Sequence, residues 1–201
     1  MILSPYIIHY FTYKTEYPIY NLNLDEIFNN LNAVDLGFVS PRFQYIILSN
    51  WERNGLKIGI GLDNPIIYSD KDIERIHRIA NLEIEFEKVR RIIDKNLPSR
   101  LSCIFLAEND LDGRTMLKNM FLKKVKFVIA EVEINEYIAF HKADSKWIEH
   151  YEKTKDKTAI SNYWIGTDFD NFPEYEYLIE GIINLKNESD RKFIKNNFIE
   201  T

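Results

Sequence analysis

Pro173-Glu174-Tyr175-Glu176-Tyr177-Leu178-Ile179-Glu180-Gly181-Ile182-Ile183 is the stretch on which the reading of this chain turns. Tyr175, Tyr177 and Ile179 recur at every second residue, the side-chain period of a β-strand. The opposite face then carries Glu174, Glu176, Leu178 and Glu180. Carboxylates two residues apart on one face sit ~7 Å apart along the strand. That spacing lets one act on a sugar while its neighbour acts on a second reactant. The same pattern also suits an edge strand that shows acidic side chains to water and so resists pairing with another chain. Both readings stand on this segment alone.

Upstream, residues 154–172 are polar, contain Gly166 and read as a loop holding Tyr163 and Trp164. Residues 145–153 read as a short helix around Trp147, Ile148 and Tyr151, and residues 125–134 alternate as a strand does. Residues 110–121 are helical in pattern, and Pro98 separates a short buried strand at 101–107 from the helical region before it. That region opens with a capping box, Ser69-Asp70-Lys71-Asp72, and runs to about Lys95. Its apolar stripe runs Ile73, Ile76, Ile79, Ala80, then shifts phase to Leu82, Phe86, Val89 and Ile93. The shift predicts two helices or a bend near Asn81. Residues 43–48 and 57–68 read as strands around Asn54-Gly55, and residues 23–31 as a short helix. Residues 6–11 are a nearly continuous apolar run interrupted by His9, the pattern of a buried central strand. Residues 188–198 read as a terminal helix. Strands and helices mix without regular βαβ alternation, so the expectation is one α+β domain over residues 1–201.

Composition narrows the function classes. The chain has 201 residues, enough for a full core, and a hydrophobic fraction of 45%, which excludes wholesale disorder. A net charge of −5 argues against a dedicated basic nucleic-acid binder, though not against an enzyme with a local basic groove. One cysteine, Cys103, can form neither an internal disulfide nor a zinc-thiolate cluster, which suits a reducing compartment. The N-terminal residues lack the pattern of a secretory signal and no apolar run is long enough to span a membrane, so a cytoplasmic protein is expected. His141 and His150 lack metal spacing, and no metal site is expected. Gly55, Gly59 and Gly61 lack the strand–helix context of a dinucleotide fingerprint.

Three places carry residues suited to chemistry: His9, the run Pro98-Ser99-Arg100-Leu101-Ser102-Cys103-Ile104-Phe105, and Glu176-Tyr177-Leu178-Ile179. In this order they resemble the ADP-ribosyltransferase superfamily, whose members carry an early His or Arg, a Ser- or Tyr-bearing strand and a late Glu. The resemblance covers residues 5–12, 83–107 and 125–183. It implies a split, mostly antiparallel pair of sheets with flanking helices, and a cleft that takes NAD as co-substrate. Cleaving the nicotinamide–ribose bond passes through an oxocarbenium-like state, which a facing carboxylate stabilises more than the ground state. The resemblance gives that role to Glu176 and activation of the acceptor to Glu174. It gives His9 to the adenosine ribose, Phe105 to the nicotinamide ring and Ser102 to orienting the carboxylate; Arg100, following Pro-Ser, suits either pinning a loop through a carboxylate or reaching the NAD pyrophosphate. Phe105 stands where the family often has Tyr. Water or an unidentified acceptor, protein or nucleic acid, receives the ADP-ribose, and an antitoxin or immunity protein is a further expected partner. The reading from another class is a non-enzymatic binding or accessory protein with an exposed acidic strand. Convergence of His9, Ser102 and Glu176 on one cleft separates the two.

Overall fold

The computed structural model describes residues 7–12, 28–29, 41–55, 68–121 and 127–198. Among them lie β1 (Ile7–Thr12), β2 (Phe28–Asn29), α1 (Pro41–Arg53), α2 (Asp70–Ile93), β3 (Ile104–Glu108), α3 (Leu111–Phe121), β4 (Phe127–Asp144), α4 (Lys146–Thr154), α5 (Lys157–Ile165), β5 (Tyr175–Leu185) and α6 (Glu188–Phe198). The architecture is α+β, and every strand pairing is antiparallel. The ladder runs β2-β5-β3-β1-β4, and β4 pairs again with β5, so β5, β3, β1 and β4 close a ring. The described strands thus form one continuous antiparallel ladder. β4 makes this possible by serving two partners: its first residues pair with β1 and the rest with β5.

β5 is an inner strand, not an edge. Ile179 pairs with Ile104 of β3 on one side and with Phe140 of β4 on the other. Tyr177, Ile179, Ile183 and Leu185 join Ile104, Leu106, Ala130 and Val132 in an apolar cluster built only from strand residues. Burying each such Ile or Leu contributes about 1.5–3 kcal/mol. On the other face Leu178 packs with Phe86 of α2, Tyr151 of α4, and Ile160, Tyr163 and Trp164 of α5. Register shifts in β4 between Ile134 and Glu136 and between Tyr137 and Ala139 bring it very close to β5 at Gly181. A Cβ there would lie 2.7 Å from the Tyr137 Cα, so only glycine fits.

α2 is one continuous helix of 24 residues, so of the two expectations near Asn81 a pair of separate helices is corrected. The capping box is present: Ser69 Oγ accepts from the Asp72 N–H (3.3 Å), and Asp72 Oδ2 accepts from the Ser69 N–H (3.1 Å). Its buried residues include Ile76, Ala80, Glu83, Phe86 and Arg90, one unbroken stripe at helical spacing. Two members of that stripe are charged, which is why an apolar-only reading shifts phase.

Three other expectations are corrected. Residues 43–48 belong to α1, because a six-residue apolar run does not by itself distinguish helix from strand. The stretch read as a loop holds α5, with Asp156 as N-cap and Gly166, at φ +79°, as C-cap; Tyr163 and Trp164 are core residues on it. Phe28 and Asn29, read within a helix, pair with Ile183 and Ile182 of β5. Residues 57–67 of the strand expected at 57–68, and the rest of 23–31, lie outside the described residues. No helix among the described residues is long and apolar enough to cross a membrane.

Candidate functional site

Between α2 and β3 the chain turns at Pro98-Ser99-Arg100-Leu101-Ser102, and the Ser99 carbonyl accepts from the N–H groups of Ser102 (3.1 Å) and Cys103 (2.8 Å). This connector is fastened on both sides. From α2, the Arg90 guanidinium donates to the carbonyls of Lys95 (2.8 Å) and Leu97 (2.5 Å), and Ser99 Oγ donates to Glu87 (2.9 Å). From β5, Glu180 Oε1 accepts from Ser102 Oγ at 3.3 Å. The acidic face of β5 is therefore a seat for the connector.

Arg100 fills that seat. It is 2% exposed, and its Nη1 donates to Glu176 Oε1 and to the Tyr163 hydroxyl, each at 2.5 Å. Its Nε and Nη2 donate to the two oxygens of Glu83 at 3.1 and 3.3 Å. The Tyr163 hydroxyl in turn donates to Glu176 Oε1 at 2.7 Å. Arg42 of α1 donates to Glu83 from the other side. The Phe105 ring lies beneath both cations, its centroid 4.2 Å from the Arg42 Cζ and 5.2 Å from that of Arg100.

Two carboxylates and two guanidinium groups balance to zero charge here. Burial alone would raise the Glu83 carboxyl, but Arg100 and Arg42 more than offset it and hold its pKa below the ordinary value. Burial likewise pulls Arg100 down, and the facing Glu83, Tyr163 and Glu176 raise it well above its ordinary value. The Tyr163 phenol is pushed well up, first by burial and then by Glu176, and stays protonated to donate. Such a cluster is stable while every charge keeps its partner; removing one leaves a buried charge uncompensated.

The structure thus brings Arg100, Phe105 and Glu176 together. Glu176 is 6% exposed and enclosed, not open to a cleft, which corrects both the open-cleft and the exposed-strand expectations. Ser102 turns to Glu180, four residues further along β5. Glu174 is exposed just before β5, its N–H donating to Asp144. His9 pairs with Ala130 in the β1–β4 ladder, and its side chain lies outside what the structure describes.

Sequence reasoning missed Glu83, Arg42 and Tyr163. Glu83 had a signal, since a carboxylate inside the buried stripe of α2 needs a cation. For Tyr163 the signal was Asp156 and Gly166, a cap at each end of a helix. Arg42 had none, because its contact depends on how α1 packs. Among the described residues no group of three or more His, Cys, Asp or Glu side chains is placed to hold a metal ion.

Residues 13–191 match the model of the family described as "Protein of unknown function (DUF2441)", and the chain belongs to that family. No curated protein matches it.

Proposed function

We propose that this DUF2441 protein is an NAD-consuming enzyme of the ADP-ribosyltransferase type, transferring ADP-ribose to an acceptor or to water. The observation that supports it is the meeting of Arg100, Phe105 and Glu176 on one face of the antiparallel ladder. The resting network sets the conditions for catalysis. A carboxylate neutralised by a guanidinium stabilises an oxocarbenium-like state poorly, so Glu176 must lose Arg100 before the chemical step. The NAD pyrophosphate is the natural new partner for Arg100, because an incoming dianion replaces the charge that Glu176 withdraws. Arg42, whose side chain is 32% exposed, must likewise leave the Phe105 ring before nicotinamide stacks there. On this reading substrate binding and unmasking of Glu176 are one event.

The burial of Glu176 favours a second reading, in which the cluster only holds the fold and the protein is a non-enzymatic binding or accessory protein. Nicotinamide release from NAD by the purified chain decides between them. The enzyme reading expects turnover that falls about 100-fold or more in Glu176→Gln, counted per folded molecule. Arg100→Lys is expected to raise KM more than it lowers kcat, since it weakens the bidentate hold on pyrophosphate. Wild-type protein that releases no nicotinamide over buffer leaves the structural reading.

A further inference from the structure

We propose that the loop joining α5 to β5 is a preformed docking surface for a positively charged segment of another protein. The loop is held along its length. At its start the Gly166 N–H donates to the carbonyls of Asn162 and Tyr163, and the Thr167 carbonyl accepts from Trp147 Nε1 at 2.7 Å. In the middle the Asp144 carboxylate, 1% exposed, accepts from the N–H groups of Phe169 (2.9 Å) and Glu174 (3.1 Å). Asp168 accepts from the Tyr175 hydroxyl at 2.7 Å, and Lys146 donates to Asp170 and to the Phe172 carbonyl. The Phe169 ring meets Trp147 edge-on, centroids 4.7 Å apart.

This fixed frame holds large apolar side chains in water. Phe172 is 81% exposed and Ile165 65%. Because the backbone beneath Phe172 is already ordered, burying this side chain against a partner releases water with little further ordering. The charges around it select the partner. Asp170 and Glu174 stand two residues either side of Phe172 and are exposed, as is Asp168, while the neighbouring cations are engaged, Lys146 by Asp170 and Lys142 by the Tyr175 ring at 3.4 Å. Three exposed carboxylates outnumber the two engaged lysines, which disfavours nucleic acid. A second copy of this chain would set the same carboxylates against themselves in a two-fold contact. A basic segment with an apolar residue between its cations matches both features. The inference is independent of the NAD reading and needs no catalysis.

A fluorescent peptide alternating arginine and leucine tests it, titrated with the full chain in the absence of NAD. A glutamate–leucine peptide and a single-stranded DNA serve as comparators. The basic peptide is expected to bind, to weaken as salt is raised, and to lose about tenfold or more in affinity in Phe172→Ser. Ile165→Ser is expected to act in the same direction. Both side chains are exposed, so both variants should melt as the wild type does. Absent binding of the basic peptide, equal binding of either comparator, or unchanged affinity in Phe172→Ser overturns the proposal. So does sedimentation of the wild type as a dimer that Phe172→Ser disperses.

Discussion

The two faces of β5 solve the same problem in opposite ways. On one, Tyr177, Ile179, Ile183 and Leu185 meet other strands through apolar contact alone. On the other, Glu176 and Glu180 flank Leu178 and take Arg100 and Ser102 of the connector. Apolar contact is non-directional and approximately proportional to buried area, so its members are exchangeable within the limits of volume. The charged face has no such slack. Arg100 reaches Glu83, Glu176 and Tyr163 at once, and each is buried, so each depends on the others. One face supplies stability by quantity; the other ties β5, the connector, α2 and α5 together by identity.

The strongest way to break this contrast is Arg100→Met. It leaves Glu83 with Arg42 alone and Glu176 with only the Tyr163 hydroxyl, and should cost about 4 kcal/mol. Urea denaturation measures it, and a loss under about 1 kcal/mol would erase the distinction between the faces. Replacing Glu83, Arg100 and Glu176 together with apolar residues of similar volume should recover most of that loss, since Arg42, the charge that then loses Glu83, has a side chain 32% exposed and can turn to water.

Ile179→Ala probes the apolar face and should cost about 3 kcal/mol, while Ile179→Val should cost about 1 kcal/mol. A graded response to removed methylenes marks area-driven packing. An all-or-none response there would mean that the apolar face is as particular as the charged one.

An effect smaller than those of Arg100→Met and Ile179→Ala comes from acid. Burial would raise the Glu87 carboxyl, but hydrogen bonds from Arg90, Arg91 and Ser99 prevail and lower it from 4.5 to about 2. A carboxyl depressed in the folded state adds stability that is fully present above its unfolded pKa. That contribution drains away as pH falls from about 4.5 towards 2. Allowing for solvent screening, it amounts to about 2 kcal/mol. Glu87→Gln should flatten the acid limb of a stability–pH curve by that amount, with little change in the response of the Ile179 variants.

The legibility of the fold followed the same division. β5 and α2 were readable because period-two alternation and a capping box are local signals, present in a dozen consecutive residues. α5 was misread as a loop although Asp156 and Gly166 bracket it, because its nine residues hold too little periodicity to outweigh polar neighbours. The second half of β4 was missed where its bulges break the alternation. At the site, Arg100, Phe105 and Glu176 were picked out one by one from residue type and order. That Ser102 belongs to Glu180 could not be read, because Glu176 and Glu180 share one face and only the seating of the connector chooses between them.

Local chemistry in the chain determined which segments alternate, where α2 begins and that β5 carries carboxylates on one side. Only the tertiary structure decided that this side faces inward. A carboxylate reads the same in sequence whether it meets water or a guanidinium. Its burial depends on a cation from 76 residues away arriving to offset the loss of hydration, as Arg100 does for Glu176.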